Sequence, residues 1–204
     1  MLQAMTGGSW DEAYLRGSAP WDIGRPQPAI VRLADGGELV EPVLDLGCGS
    51  GEHALLAATI GLESTGVDIA QSAIERARSK ARSRGLGVSF LVGDVLALGE
   101  VERIQAPFRT AIDCGCFHTF ANADRPVYAG SVASVMEPGG VLHLLCFSEQ
   151  TPGSEGPRRV TQAEIRQTFS RDWIVDQIEP ESFSVNAQWQ GHAPSAWLAR
   201  IVRR

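Results

Sequence analysis

The stretch Val43–Glu52, VLDLGCGSGE, is an apolar run that carries one acid, Asp45, and runs into glycines at every second position, Gly47, Gly49 and Gly51. Glycines spaced in this way let a backbone loop approach a ligand, and a helix that follows offers unpaired N–H groups to an anion. Two more acids, Asp68 and Asp94, each end a short β-rich run, as does the segment Asp113–His118. An imidazole such as that of His118 can take a proton near neutral pH.

Three ligands use a loop of this kind. A phosphate-binding loop requires G-x-x-x-x-G-K-[ST], and no lysine follows these glycines. A dinucleotide loop wants G-x-G-x-x-G; the third glycine falls on Glu52, whose charge would repel a pyrophosphate. S-adenosylmethionine is the third. It carries an ammonium, a carboxylate and a sulfonium but no phosphate, and Asp45 is placed to meet the cationic end directly or through water. Asp68 can accept both ribose hydroxyls. Asp94 can accept from the adenine amino group while the Val95 N–H donates to a ring nitrogen. An isolated Asp after a strand is more often a turn or helix cap; three in register with the glycine loop argue for one pocket.

The elements that must hold these residues alternate. Val43–Leu46 reads as a strand, Glu52–Ile60 as a helix, and Ser64–Val67 as a strand ending at Asp68. Gln71–Arg84 has Ile74, Ala77 and Ala81 on one helical face and charges on the other, so ERARSKARSR is read as a solvated helix face. Val88–Val92 and Thr110–Asp113 are strands. Asp124–Met136 is a helix stopped by EPGG, with the strand Val141–Phe147 after it. Thr161 and Glu164 form a capping box that starts a late helix, and Trp173–Ile178 and Ala196–Val202 close the chain as strands. This alternation predicts an α/β fold: one Rossmann-like, doubly wound sheet of about seven strands, with ligands outside the carboxyl ends of the strands. The chain, 204 residues long, is read as a single domain, 1–204.

The motifs VLDLGCGSGE, GVDIA, VGDV and EPGGVL, spread over residues 40–148, resemble the class I S-adenosylmethionine-dependent methyltransferases. That resemblance implies a seven-stranded sheet with an antiparallel last strand. It implies cofactor contacts at Asp45, Gly47, Gly49, Asp68, Asp94 and Val95, with their neighbours Cys48, Gly51, Ile69, Gly93, Asp113 and Cys114, and S-adenosyl-L-homocysteine as the product. WDEAYLRGSAPWDIGRPQPAI, Trp10–Ile30, is similar to the N-terminal arm of the thiopurine, thiol and halide methyltransferases, and closer still to actinobacterial relatives that methylate quinone or phenolic hydroxyls. IDCGCFHTF and the segment from Glu155 to Pro180 resemble those relatives too. By this analogy the arm, 1–30, lies over the cofactor and acceptor, with Trp21 and Gly24 beside the cofactor; an aromatic face near a sulfonium contributes about 0.5–2 kcal/mol. The plainer alternative is that Trp10 and Trp21 only pin the arm down.

The expected reaction is in-line transfer of an activated methyl to a small-molecule acceptor, a phenolic or quinol hydroxyl or a thiol. Alignment and water exclusion would do most of the work. His118 is the general-base candidate for a less acidic hydroxyl; its alternative is a packing histidine. His192 and His53 are weaker, His53 being placed on a helix surface. Tyr14, Trp21, Phe117, His118, Phe147, Phe183 and Trp189 are chosen as acceptor walls, with the loops 148–160 and 179–195 near that pocket. Competing readings are aminopropyl transfer, a nicotinamide oxidoreductase, and a catalytically silent binding module on the same fold. A net charge of −6 argues against nucleic acid. No apolar run is long enough for a membrane and no secretion signal opens the chain. The four cysteines lack C-x-x-C spacing, which points to reduced thiols, a cytoplasmic protein and no metal, CGCFH included. Monomer and homodimer both remain open.

Overall fold

A computed structural model describes residues 7–154 and 156–204. Two arm helices, α1 (Gly7–Leu15) and α2 (Pro28–Asp35), precede an alternating series: β1 (Val43–Leu46), α3 (Glu52–Thr59), β2 (Ser64–Asp68), α4 (Gln71–Arg84), β3 (Ser89–Val92), β4 (Phe108–Cys114), α5 (Asp124–Val135) and β5 (Met136–Phe147). Then come α6 (Gln162–Thr168), β6 (Trp173–Ser182) and β7 (Ser195–Arg203), and two 3₁₀ turns lie at Val95–Glu100 and Phe117–Thr119. The strands form one sheet in the order β3-β2-β1-β4-β5-β7-β6. From β3 to β5 neighbours are parallel; β7 is antiparallel to both β5 and β6. Among the described residues no helix is long and apolar enough to cross a membrane.

Every residue of β1 and β2 is buried, as expected of central parallel strands covered on both faces. One cover is α4, whose Ile74, Ala77 and Ala81 pack with Leu55 and Phe90. Phe108, Phe117, Tyr128, Phe169, Trp173 and Trp197 form the aromatic part of the main core. Glu164 and Thr161 bond reciprocally in the capping box that opens α6.

Two readings of the sequence gain detail. EPGG does stop the helix, which ends at Val135, and it falls within the span of β5, where the pairing with β4 passes from Met136 straight to Val141. The register with β4 shifts between Phe108 and Thr110 there, and Gly139 at φ 84° lets the strand buckle where a side chain would be strained. The basic run on α4 is exposed, yet it also ties elements together. Arg76 donates to the Tyr14 carbonyl, Arg78 to the Phe90 carbonyl at 2.6 Å, and Lys80 and Arg84 reach Glu52 at 2.8 and 3.0 Å.

Candidate functional site

The sheet order sets the acids side by side. Asp94, Asp68, Asp45 and Asp113 stand at or near the carboxyl ends of four adjacent strands, β3, β2, β1 and β4. The chain changes direction between β1 and β4, which is where ligands of such sheets bind. The carboxylates converge electrostatically too: the fields of Asp113, Asp68, Asp94 and Asp45 add to burial in pushing the Cys116 thiol up. Asp45 is buried and accepts the Ala54 N–H at 3.1 Å. Burial, with a smaller contribution from Asp68 and Asp113, pushes its pKa up to about 8. Asp68 accepts the Gly49 N–H and the Ala70 N–H, each at 2.8 Å, and burial raises its pKa as well. Its two oxygens offer about four lone-pair sites, more than the backbone donors around it fill. Asp94 is exposed and caps the turn after β3 through Leu96 N–H at 2.9 Å. Next to Asp68, Ile69 is 44% exposed, an apolar patch at the lip of the same strand end.

The glycines are required, but the crowding around them comes from the protein. Gly47 and Gly49 take φ 61° and 53°. A Cβ on Gly47 would lie 2.9 Å from the Cys116 sulfur, and one on Gly49 would overlap the Tyr14 hydroxyl. Gly51 is pressed by Phe90, and Gly93 by Val101. Cys48 turns down into the core with Phe90 and Ile74, so only its backbone can face a ligand. Glu52 pairs with Lys80 and Arg84, and hydrogen bonds to both lower its pKa against burial. The repulsion argument against a dinucleotide therefore loses its basis, since that charge is already matched.

The arm lies on this loop. Tyr14 is buried, its hydroxyl accepts the Trp21 Nε1–H at 2.9 Å, and burial with the field of Asp68 raises its pKa. It roofs the glycine loop instead of lining an acceptor wall. Trp21 stacks edge-on against Trp10 at 5.2 Å and remains 40% exposed. Asp11 accepts from Ser72 N–H at 2.7 Å, and Asp22 accepts from the Ser50 hydroxyl at 2.9 Å. Gly24 takes φ 68°, and a Cβ added there would meet nothing within 4 Å.

Four further expectations need correcting. Asp113 is fully buried and its carboxylate is taken by the Tyr128 hydroxyl at 2.6 Å and the N–H groups of Cys116 and Phe117. It braces the turn that carries His118 and has no face open to solvent; burial raises its pKa to about 6. Phe117 is fully buried between Tyr128 and Phe169, with the Arg125 guanidinium 4.7 Å over its ring, so it is core and not acceptor wall. His118 Nδ1 accepts the Phe147 N–H at 3.0 Å. Burial, Arg125 and Arg159 push its pKa down to about 3. The neutral ring then carries its proton on Nε2, leaving no lone pair to act as a base: it is a hydrogen-bond donor. His53 is not on a helix surface either. It is half-buried between arm and loop, accepts the Gln27 N–H at 3.2 Å, and lies 3.9 Å from Asp45.

Phe147, Phe183, Trp189 and His118 do come together. His118 stands 4.8 Å from Phe147 and 5.8 Å from Phe183, while Phe147 stands 5.2 Å from Phe183 and 5.8 Å from Trp189, ring centre to ring centre. The cluster sits where β4 and β5 end. Cys114, Gly115 and Cys116 are partly exposed and bridge it to the glycine loop. Sequence reasoning misses Cys116 because CGCFH signals a metal pattern before it signals a lining thiol.

Comparisons agree with this geometry. Residues 43–140 match the family described as "Methyltransferase domain". The chain is 35% identical over 170 residues to the 2-heptyl-1-hydroxyquinolin-4(1H)-one methyltransferase of Mycobacteroides abscessus, an alignment covering 82% of this chain and 74% of that one. It is 28% identical to the probable thiol methyltransferase 2 of Arabidopsis thaliana, over 83% of this chain and 74% of the relative. Among solved structures, a protein studied for the conversion of a disulfide bond into a thioacetal group during echinomycin biosynthesis superposes with a TM-score of 0.85 at 33% identity, covering 97% of this chain and 93% of that one. The magnesium protoporphyrin IX methyltransferase of Synechocystis, with S-adenosylmethionine bound, shares the fold at a TM-score of 0.63 and 20% identity, over 86% and 76% of the two chains. Acids at adjacent strand ends, a glycine loop at the switch point and these relatives lead to one conclusion: the chain belongs to the S-adenosylmethionine-dependent methyltransferases and is a small-molecule methyltransferase.

Proposed function

We propose that the acceptor is a flat aromatic molecule methylated on an acidic hydroxyl, phenolic or quinol-like, or on a thiol. The cofactor brings a methyl group activated on a sulfonium. In this reading Asp45 holds its ammonium end, Asp68 the ribose, and Asp94 with the Val95 N–H the adenine, while Tyr14 and Trp21 close over it. Phe147, Phe183 and Trp189 stack the acceptor. The His118 Nε2–H donates to the acceptor heteroatom and turns one of its lone pairs toward the methyl. An anionic quinolate or thiolate needs no base, which suits a histidine that cannot serve as one. The chain supplies orientation and a dry chamber, worth up to roughly 7–11 kcal/mol of barrier in favourable models.

The observation that carries this reading is the cluster of His118, Phe147, Phe183 and Trp189 beside the acid-lined strand ends. It is supported by a relative that acts on a hydroxyquinolone and another named as a probable thiol methyltransferase. The test is product analysis by mass spectrometry after incubation with S-adenosylmethionine and a panel of hydroxyquinolones, phenols, quinols, aromatic thiols and aliphatic amines. Methylation of the acidic aromatic members is expected. Turnover of the amines alone would reject the assignment.

A further inference from the structure

The arm and the late loop are joined directly. Gln27, buried at the N-cap of α2, donates its side-chain amide to the Ser184 carbonyl at 2.8 Å and accepts the Ser184 N–H at 2.9 Å. Asn186 donates to the Ala19 and Asp22 carbonyls at 2.8 and 3.1 Å, and Gln188 to the Gly17 carbonyl at 2.7 Å. Gln27 and Ser184 are 157 positions apart in sequence. The cover over the site is thus two segments that close only as a pair. From below, one side chain holds the arm's half of that clamp. His53, on the first turn of α3, accepts the Gln27 main-chain N–H through Nε2 at 3.2 Å. A neutral imidazole accepting at Nε2 carries its proton on Nδ1, and Nδ1 stands 3.9 Å from Asp45 Oδ1.

We propose that His53 is a positioning residue that couples arrival of the cofactor's cationic end at Asp45 to closure of the two-part cover over the acceptor. The coupling rests on the reading of Asp45 as the seat of that end. An ammonium beside Asp45 holds it as a carboxylate. A carboxylate draws the His53 Nδ1–H into a charge-assisted hydrogen bond, which a protonated acid does less well. With Nδ1 committed, the Nε2 lone pair is fixed on the Gln27 N–H, and the Gln27 amide grips Ser184. The cover is then held most firmly once the cofactor has bound, which favours cofactor before acceptor as the order of binding.

Hydrogen exchange read by mass spectrometry tests this, with S-adenosylhomocysteine as the probe and its saturation verified by calorimetry. In the wild type the probe slows exchange at residues 10–30 and 183–190 together, by about tenfold, a usual size for coupling between sites. His53→Leu, at saturation, loses the slowing at 183–190. His53→Asn, which keeps a donor and an acceptor, retains it. Ser184→Pro removes one N–H at a surface loop and also loses the slowing there. Full probe-dependent slowing in His53→Leu or in Ser184→Pro overturns the coupling, as does loss in His53→Asn equal to that in His53→Leu. The two levels separate cleanly. If Asp45→Ala leaves probe affinity intact, the seat has been misread; if Asp45 matters but the wild-type cover does not respond, the coupling alone fails.

Discussion

On the side proposed for the cofactor, the acids lie within a few positions of strand ends, and Asp68 finds its partners at Gly49 and Ala70 through bonds of 2.8 Å. On the acceptor side, Phe147 meets Phe183 and Trp189 under a cover whose two halves come from opposite ends of the chain. The first region is built from strand–loop–helix units that place their own residues. The second exists only when segments far apart in sequence dock. If the two regions hold cofactor and acceptor as proposed, the first can be kept while the second changes by substitution in two loops, which bear no part of the parallel sheet.

The comparison breaks most sharply at Asp113, which stands between the two regions. Replacing it with Ala removes the acceptor for Tyr128 and for two backbone N–H groups in a fully buried site. The expected loss is about 3–4 kcal/mol of stability, since each orphaned donor carries a desolvation cost, and urea unfolding measures it. If Asp113 instead contacts the cofactor, S-adenosylhomocysteine affinity will fall while stability holds. Asp68→Ala comes next. It should weaken S-adenosylhomocysteine binding by about 1.5–3 kcal/mol, because charge-assisted bonds are lost; unchanged affinity by calorimetry removes Asp68 from the nucleoside site.

A smaller effect separates the regions by pH. Asp45 keeps its proton to about pH 8 in the fold, whereas an unfolded chain releases it near the ordinary carboxylate value. Its burial therefore costs nothing below about pH 4 and progressively more as the pH rises through that window. A bound ammonium favours the ionised form. Binding between pH 5 and 8 should then release a proton, and affinity should rise with pH by up to about tenfold per unit. Calorimetry in buffers of different ionisation enthalpy counts the proton. The protein with Asp45→Asn should release none at this site. Acceptor affinity measured at saturating cofactor should show no slope beyond that of the acceptor's own ionisation, because His118, with a pKa of about 3, does not titrate in that range.

What can be read from the sequence follows the same division. The α4 stripe, the Thr161–Glu164 capping box and the acids at the ends of β2 and β3 depend on neighbours within a few residues, and the structure has them where the pattern puts them. The glycine loop is legible for a reason only half right, because the side chains crowding Gly47 and Gly49 come from Cys116 and Tyr14, distant in the chain. The sequence sets His118 beside phenylalanines, but its proton affinity depends on burial, two arginines and the Phe147 N–H. No local pattern encodes those. EPGG carries breaker residues and acts as one: β4 pairs with Met136 and next with Val141, and the four residues between have no partner in the ladder. His53 and Gln27 give no signal at all, since their roles depend on where the arm lands.

The gentlest test sets two phenylalanines against each other. Phe183 is partly exposed, lies on the late loop and faces His118 and Phe147. Phe117 is fully buried between Tyr128 and Phe169. If the acceptor stacks in the late-loop cluster, Phe183→Ala removes one aromatic partner, a loss of about 1 kcal/mol, or roughly fivefold in acceptor KM. Phe117→Leu keeps apolar volume in the core and should cost about 1 kcal/mol of stability instead, with acceptor KM held. The two substitutions are expected to move different observables by similar amounts. A shared fall in stability with no change in KM for Phe183→Ala would make the cluster packing alone, and the acceptor would then have to lie against Cys114 and Cys116 at the end of β4.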